Sequence, residues 1–137
     1  MERLHHDREF TVDAVAGSQL SNLIAISDAS NDAMHPIVFY AKFNCAPGWH
    51  KFFLDLGAAF WDLVSDEDVA EDLQDECYNS IRLLEEMTGQ TVAEAFAFVP
   101  DGTECASINV VFADDRRLAI QCVHDVDGHH TEAHLIG

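Results

Sequence analysis

A chain of 137 residues with 48% hydrophobic residues and nine Phe has enough apolar material for a folded core, so its acidity is not that of a disordered tail. Seven Lys and Arg against 25 Asp and Glu leave a net charge of -18 and a pI near 4.4. That balance argues against direct nucleic-acid binding and against anionic membranes, both of which need a basic patch.

Residues 1 to 9 read as a polar, mobile arm without a hydrophobic signal region, and a single cytoplasmic domain over 1–137 is expected. No apolar run approaches the length needed to span a bilayer. Phe10 to Val15 alternates like a strand. Leu20 to Ser27 also favours a strand, through Ile24 and Ile26 at period two. Asp28 to Ala33 has loop composition, and His35 to Phe43 is the next strand.

Trp49 to Met87 reads as two amphipathic helices. Over about Gly48 to Val64, Trp49, Phe52, Phe53, Leu56, Phe60, Leu63 and Val64 fall on one stripe at 100° per residue. Leu54 and Trp61 fall off it, as a second buried side or an exposed binding patch. Over about Asp66 to Thr88, Val69, Leu73, Cys77, Ile81, Leu84 and Met87 form the stripe. Ser65 before Asp66, Glu67 and Asp68 resembles a capping box, and Gly89 supplies the stop. After it, Phe96 and Phe98, Cys105 to Phe112, Arg117 to His124 and His130 to Ile136 read as strands joined by turns. The expected class is α+β, a mostly antiparallel sheet packed against a pair of amphipathic helices.

Nine acids and no base lie between Lys51 and Arg82, half of the net charge. The helical projection puts Glu67, Asp68, Glu71, Asp75, Glu85 and Glu86 on the far side of the second helix, with Tyr78 among them. Repulsion at i,i+3 and i,i+4 is nearly uncompensated there, which points to a face that meets something positive. The expected partner-binding residues are Glu67, Asp68, Glu71, Asp72, Asp75, Tyr78 and Glu85, with Leu54 and Trp61. The same acidity also suits solvation in high salt.

Imidazoles and carboxylates gather at His124, Asp125, Asp127, His129, His130 and His134, the weak metal candidates. Their Asp and Gly content reads first as a polar hairpin turn, so no cofactor is expected. Cys45, Cys77, Cys105 and Cys122 are isolated singletons in apolar patterns and read as reduced, buried small hydrophobes. Cys45 with His50 is the nearest approach to a nucleophile and base. No phosphate loop, nucleotide fingerprint or serine elbow is present, and no catalytic residue is assigned.

The profile of a small, acidic, motif-free α+β protein is similar in type to that of bacterial immunity proteins, which neutralise basic toxin domains; the likeness rests on no particular residues. It implies a protein inhibitor of a basic toxin or effector domain, since complementary charge speeds association. The alternatives are a phage or plasmid DNA mimic and a metal-dependent enzyme using the C-terminal His/Asp cluster.

Overall fold

In a computed structural model, residues 1–28, 35–83, 85–125 and 128–137 are described. Strands make up 60%, in two antiparallel sheets, and among the described residues one helix reaches seven residues. The expected sheet on a helical pair is therefore corrected to two sheets with a single helix outside them. The first sheet has six strands: β1 (Glu2–Asp7), β3 (Leu20–Asp28), β4 (Pro36–Phe43), β5 (Trp49–Asp55), β6 (Ala58–Val64) and β7 (Tyr78–Arg82), in the order β1-β6-β5-β4-β3-β7. The second has β2 (Phe10–Thr11), β8 (Val92–Phe98), β9 (Ser107–Phe112), β10 (Arg117–Asp125) and β11 (Gly128–Ile136), in the order β11-β10-β9-β8-β2. The helix α1 covers Asp66–Gln74. No helix of the described residues is long and apolar enough to cross a membrane.

Inner faces of both sheets meet in one core that includes Leu23, Phe39, Phe52, Trp61, Ile108, Phe112, Leu118 and Ile120. A smaller core of Ile24, Ile26, Tyr40, Trp49, Val64 and Val69 lies on the other face of the six-stranded sheet, under α1. The middles of β3 (residues 23–26) and β4 (residues 39–41) are thus buried on both faces, which explains the apolar runs there.

The same double burial undoes the first expected helix. Trp49 to Val64 is a hairpin of β5 and β6, turning at Leu56 and Gly57 with φ of 51° and 82°. Two positive φ values match the twist of the paired strands. Phe52 lies opposite Trp61 on the inner side, ring centroids 4.4 Å apart, and Phe53 opposite Phe60 on the outer side at 4.7 Å. Apolar side chains on both faces of a strand leave no period-two signal and fit a helical stripe equally well.

The second expected helix does form, but it is shorter. The Ser65 side chain accepts from the Asp68 N–H at 3.2 Å, and Asp68 accepts from the Ser65 N–H at 3.1 Å, completing the capping box. The helix stops at Gln74 instead of Thr88. Asp75 accepts from the Cys77 N–H at 2.8 Å in a side-chain turn, and Tyr78 to Arg82 pairs with β3. Glu85–Met87 is a separate 3-10 turn that ends near Gly89, whose φ is +90°.

The N-terminal arm is not loose. Residues 2–7 are β1, paired with β6, where the Arg3 guanidinium bonds to the buried Asp62 carboxylate. Phe10 to Val15 is strand for two residues only, then a 3-10 turn that buries Val15. The remaining expected strands, β3, β4, β8, β9, β10 and β11, form close to where the alternation places them. The loop expected at 28–33 falls outside the described residues, apart from Asp28.

Candidate functional site

Two surfaces stand out, one built on α1 and the other at one mouth of the sandwich. On α1, the acids divide by role. Asp66 accepts from the Trp49 indole N–H at 2.7 Å and lies 3.9 Å from the Lys42 ammonium. Asp68 caps the helix, and Asp72 accepts from the Tyr40 hydroxyl. Burial first, then Asp72, raises the Tyr40 pKa above its usual range, so the phenol stays a donor. Asp66 and Asp72 fasten the helix to the sheet, and the capping bonds hold Asp68 below the ordinary carboxylate range.

Glu67, Glu71, Asp75 and Glu76 are exposed, and none has an ion pair among the described residues. Leu73, 42% exposed, lies one turn beyond the buried Val69, on the side of the helix away from Glu67 and Glu71. Tyr78 is not the centre of this face. It begins β7, is half-buried and packs against the small core. Glu85 is exposed on the 3-10 turn and not on α1. The expected Leu54/Trp61 patch is also corrected. Both side chains point into the sandwich, because Leu54 and Phe52 share a face of β5 and Trp61 lies opposite Phe52. Trp61 is fully buried and donates its indole N–H to the His50 Nδ1 at 2.8 Å. That contact also occupies His50, while Cys45 is exposed in the β4–β5 loop, so no nucleophile–base pair forms there.

The sandwich mouth holds the chemistry-bearing cluster. Cys122 and His124 alternate along β10 on the face that carries Leu118 and Ile120 into the core. Cys105 comes from the segment entering β9. One possible ligand atom from each of Cys105, Cys122 and His124 lies within 4.8 Å of the others. Burial, followed by the adjoining Cys105, pushes the Cys122 thiol up. The His129 ring is 5.3 Å from that of His124, opposite it in the β10–β11 hairpin. A cleft of about 530 Å³ opens beside the cluster, lined by Arg8, His35, Asp55, Leu56, His129 and His130 among others.

The other C-terminal candidates are not members of the Cys105–Cys122–His124 set, although His129 and His130 line the cleft beside it. His130, Glu132 and His134 alternate along β11, and Glu132 bonds to the two imidazoles at 2.6 and 2.9 Å, which lowers its pKa. His130 also stacks on His35, with ring centroids 3.7 Å apart. Asp127 and the side chain of Asp125 lie outside the described residues. The reading of all four cysteines as buried is corrected: Cys45 and Cys77 are exposed, Cys105 and Cys122 half-buried. The sequence signal for the cluster was the Cys122-x-His124 spacing on a strand. The third member is reached only by extending the β9–β10 register beyond the Ile108–Ile120 pair, which brings residue 105 near 122.

The fold and these surfaces define a helix-backed antiparallel β-sandwich with an acidic outer helix and a thiol–imidazole cluster at one mouth. No family model matches the chain, and searches of curated proteins and of solved structures find no match.

Proposed function

We propose that this protein is a small acidic inhibitor that binds a basic protein domain through the solvent side of α1, as an immunity protein binds its toxin. The observation that carries the reading is that Glu67 and Glu71, on a helix anchored by Asp66 and Asp72, and Asp75 and Glu76, in the turn that follows it, are exposed and have no ion pair among the described residues. Mutual repulsion among these acids is held in place by the sheet beneath them. A cationic partner relieves it, and a preorganised charged face speeds encounter.

Capture from the native cell at graded salt tests the reading, comparing wild type with the Glu67→Lys, Glu71→Lys double variant. The expected outcome is a basic protein retained by wild type, released by salt and lost by the variant. Equal retention by both proteins overturns it. Competition by duplex DNA for the retained protein separates a DNA mimic from an inhibitor that docks away from a nucleic-acid cleft.

A further inference from the structure

We infer that Cys105, Cys122 and His124 form a zinc site whose fourth position opens onto the cleft at the sandwich mouth. Two thiolates and an imidazole are a soft donor set that suits zinc and not calcium or magnesium. The fold delivers them from two places. Cys122 and His124 sit two apart on β10, on the inner face but past Ile120, where that face leaves the main core. Cys105 is positioned by its neighbour, since the Ala106 N–H donates to the Gly57 carbonyl at 2.9 Å, tying this segment to the β5–β6 turn.

Ligand atoms within 4.8 Å of one another are near the required spacing. With Zn–S about 2.3 Å and Zn–N about 2.0–2.1 Å, tetrahedral geometry separates ligand atoms by roughly 3.5–3.8 Å. The remaining closure is about 1 Å, which side-chain rotation supplies. His129 is not close enough to all three residues to share the ion, although its ring borders that of His124. Among the described residues no fourth ligand joins the set, and the cleft that the three residues line together with Arg8 and Asp55 offers the fourth position. Three protein ligands with one free position is the arrangement in which zinc holds water or a small anion.

The full chain, purified without a tag and kept under a phosphine reductant, is titrated with cobalt(II) as a spectroscopic stand-in for zinc. One equivalent is expected to give a thiolate-to-cobalt charge-transfer band and the visible bands of tetrahedral cobalt, both abolished by zinc. Azide is expected to shift the visible bands by entering the open position. Losing a ligand must cost at least what losing an outer-shell partner does, so Cys122→Ser and His124→Gln are each expected to weaken cobalt binding roughly 10- to 100-fold or more. Cys45→Ser with Cys77→Ser should leave it unchanged, with circular dichroism confirming the fold throughout. His124 is exposed, so its variant remains informative if Cys122→Ser does not fold. Absence of the charge-transfer band in wild type, or full affinity in His124→Gln, overturns the site; visible bands indifferent to azide overturn the open position. The Glu67→Lys, Glu71→Lys variant should bind cobalt like wild type, which keeps this result separate from the partner-binding reading.

Discussion

Leu56 occupies a backbone position that favours Asn or Gly. Its φ is 51° at the first position of a two-residue hairpin turn, and its side chain is 95% exposed. Left-handed backbone in a residue of this kind costs on the order of 1 kcal/mol, and no burial offsets it. Leu56→Asn is expected to stabilise the protein by about that amount, read as a rise in melting temperature. His50 presents the opposite case, a polar side chain with 1% exposure. Its Nδ1 accepts from Trp61, so its Nε2 carries the proton, and that atom is buried without a partner among the described residues. Burial lowers the His50 pKa from 6.5. The native state then binds fewer protons than the unfolded chain below that pH. This part of the stability is complete above about 6.5 and is lost as pH falls towards the folded value. Melting temperature against pH should fall less steeply below pH 6.5 in His50→Gln than in wild type; parallel curves would remove His50 as the cause.

Among the elements, β1 is the one whose role differs most from its composition. Glu2 to Asp7 is polar enough to read as an arm, yet it supplies the Arg3 guanidinium to Asp62, which is 1% exposed on β6. Removing one member of such a pair leaves a buried charge without compensation. Because Arg3 is itself 40% exposed, Arg3→Ala is expected to cost about 1–3 kcal/mol in denaturant unfolding, while neighbouring Glu2→Ala should change little. A small effect at Arg3 would mean that water reaches Asp62. In α1 the order of importance runs the other way. Its cap at Ser65 was legible from four residues, because a capping box is a local hydrogen-bond pattern. Its end was not legible, because the competing structure at Tyr78 to Arg82 is a strand whose hydrogen bonds go to β3, some fifty residues away in the chain.

At the scale of the whole molecule, a net charge of -18 on one small sandwich sets up self-repulsion. The exposed acids of α1 concentrate it. Replacing Glu67 and Glu71 by Lys should leave the melting temperature equal or higher in dilute buffer, with the difference from wild type shrinking as salt is added. A marked drop would mean that these two carboxylates hold the fold together, and the reading of α1 as a binding face would fail with it.

Acidity, the helix cap and strands β3, β4 and β8 to β11 were fixed by local pattern and composition, and each was legible without coordinates. Trp49 to Val64 was not, because both faces of its hairpin are covered and burial on two sides erases the period that distinguishes a strand from a helix. The roles of Leu54, Trp61 and Tyr78 followed from that hairpin and from β7, so they changed with it. Cys105, Cys122 and His124 were visible as residue types but not as a set. Their convergence depends on the pairing of β9 with β10 and on a bond from Ala106 to the β5–β6 turn. Such long-range pairings are selected by the joint burial of two sheets and leave no mark in the spacing of the residues they bring together.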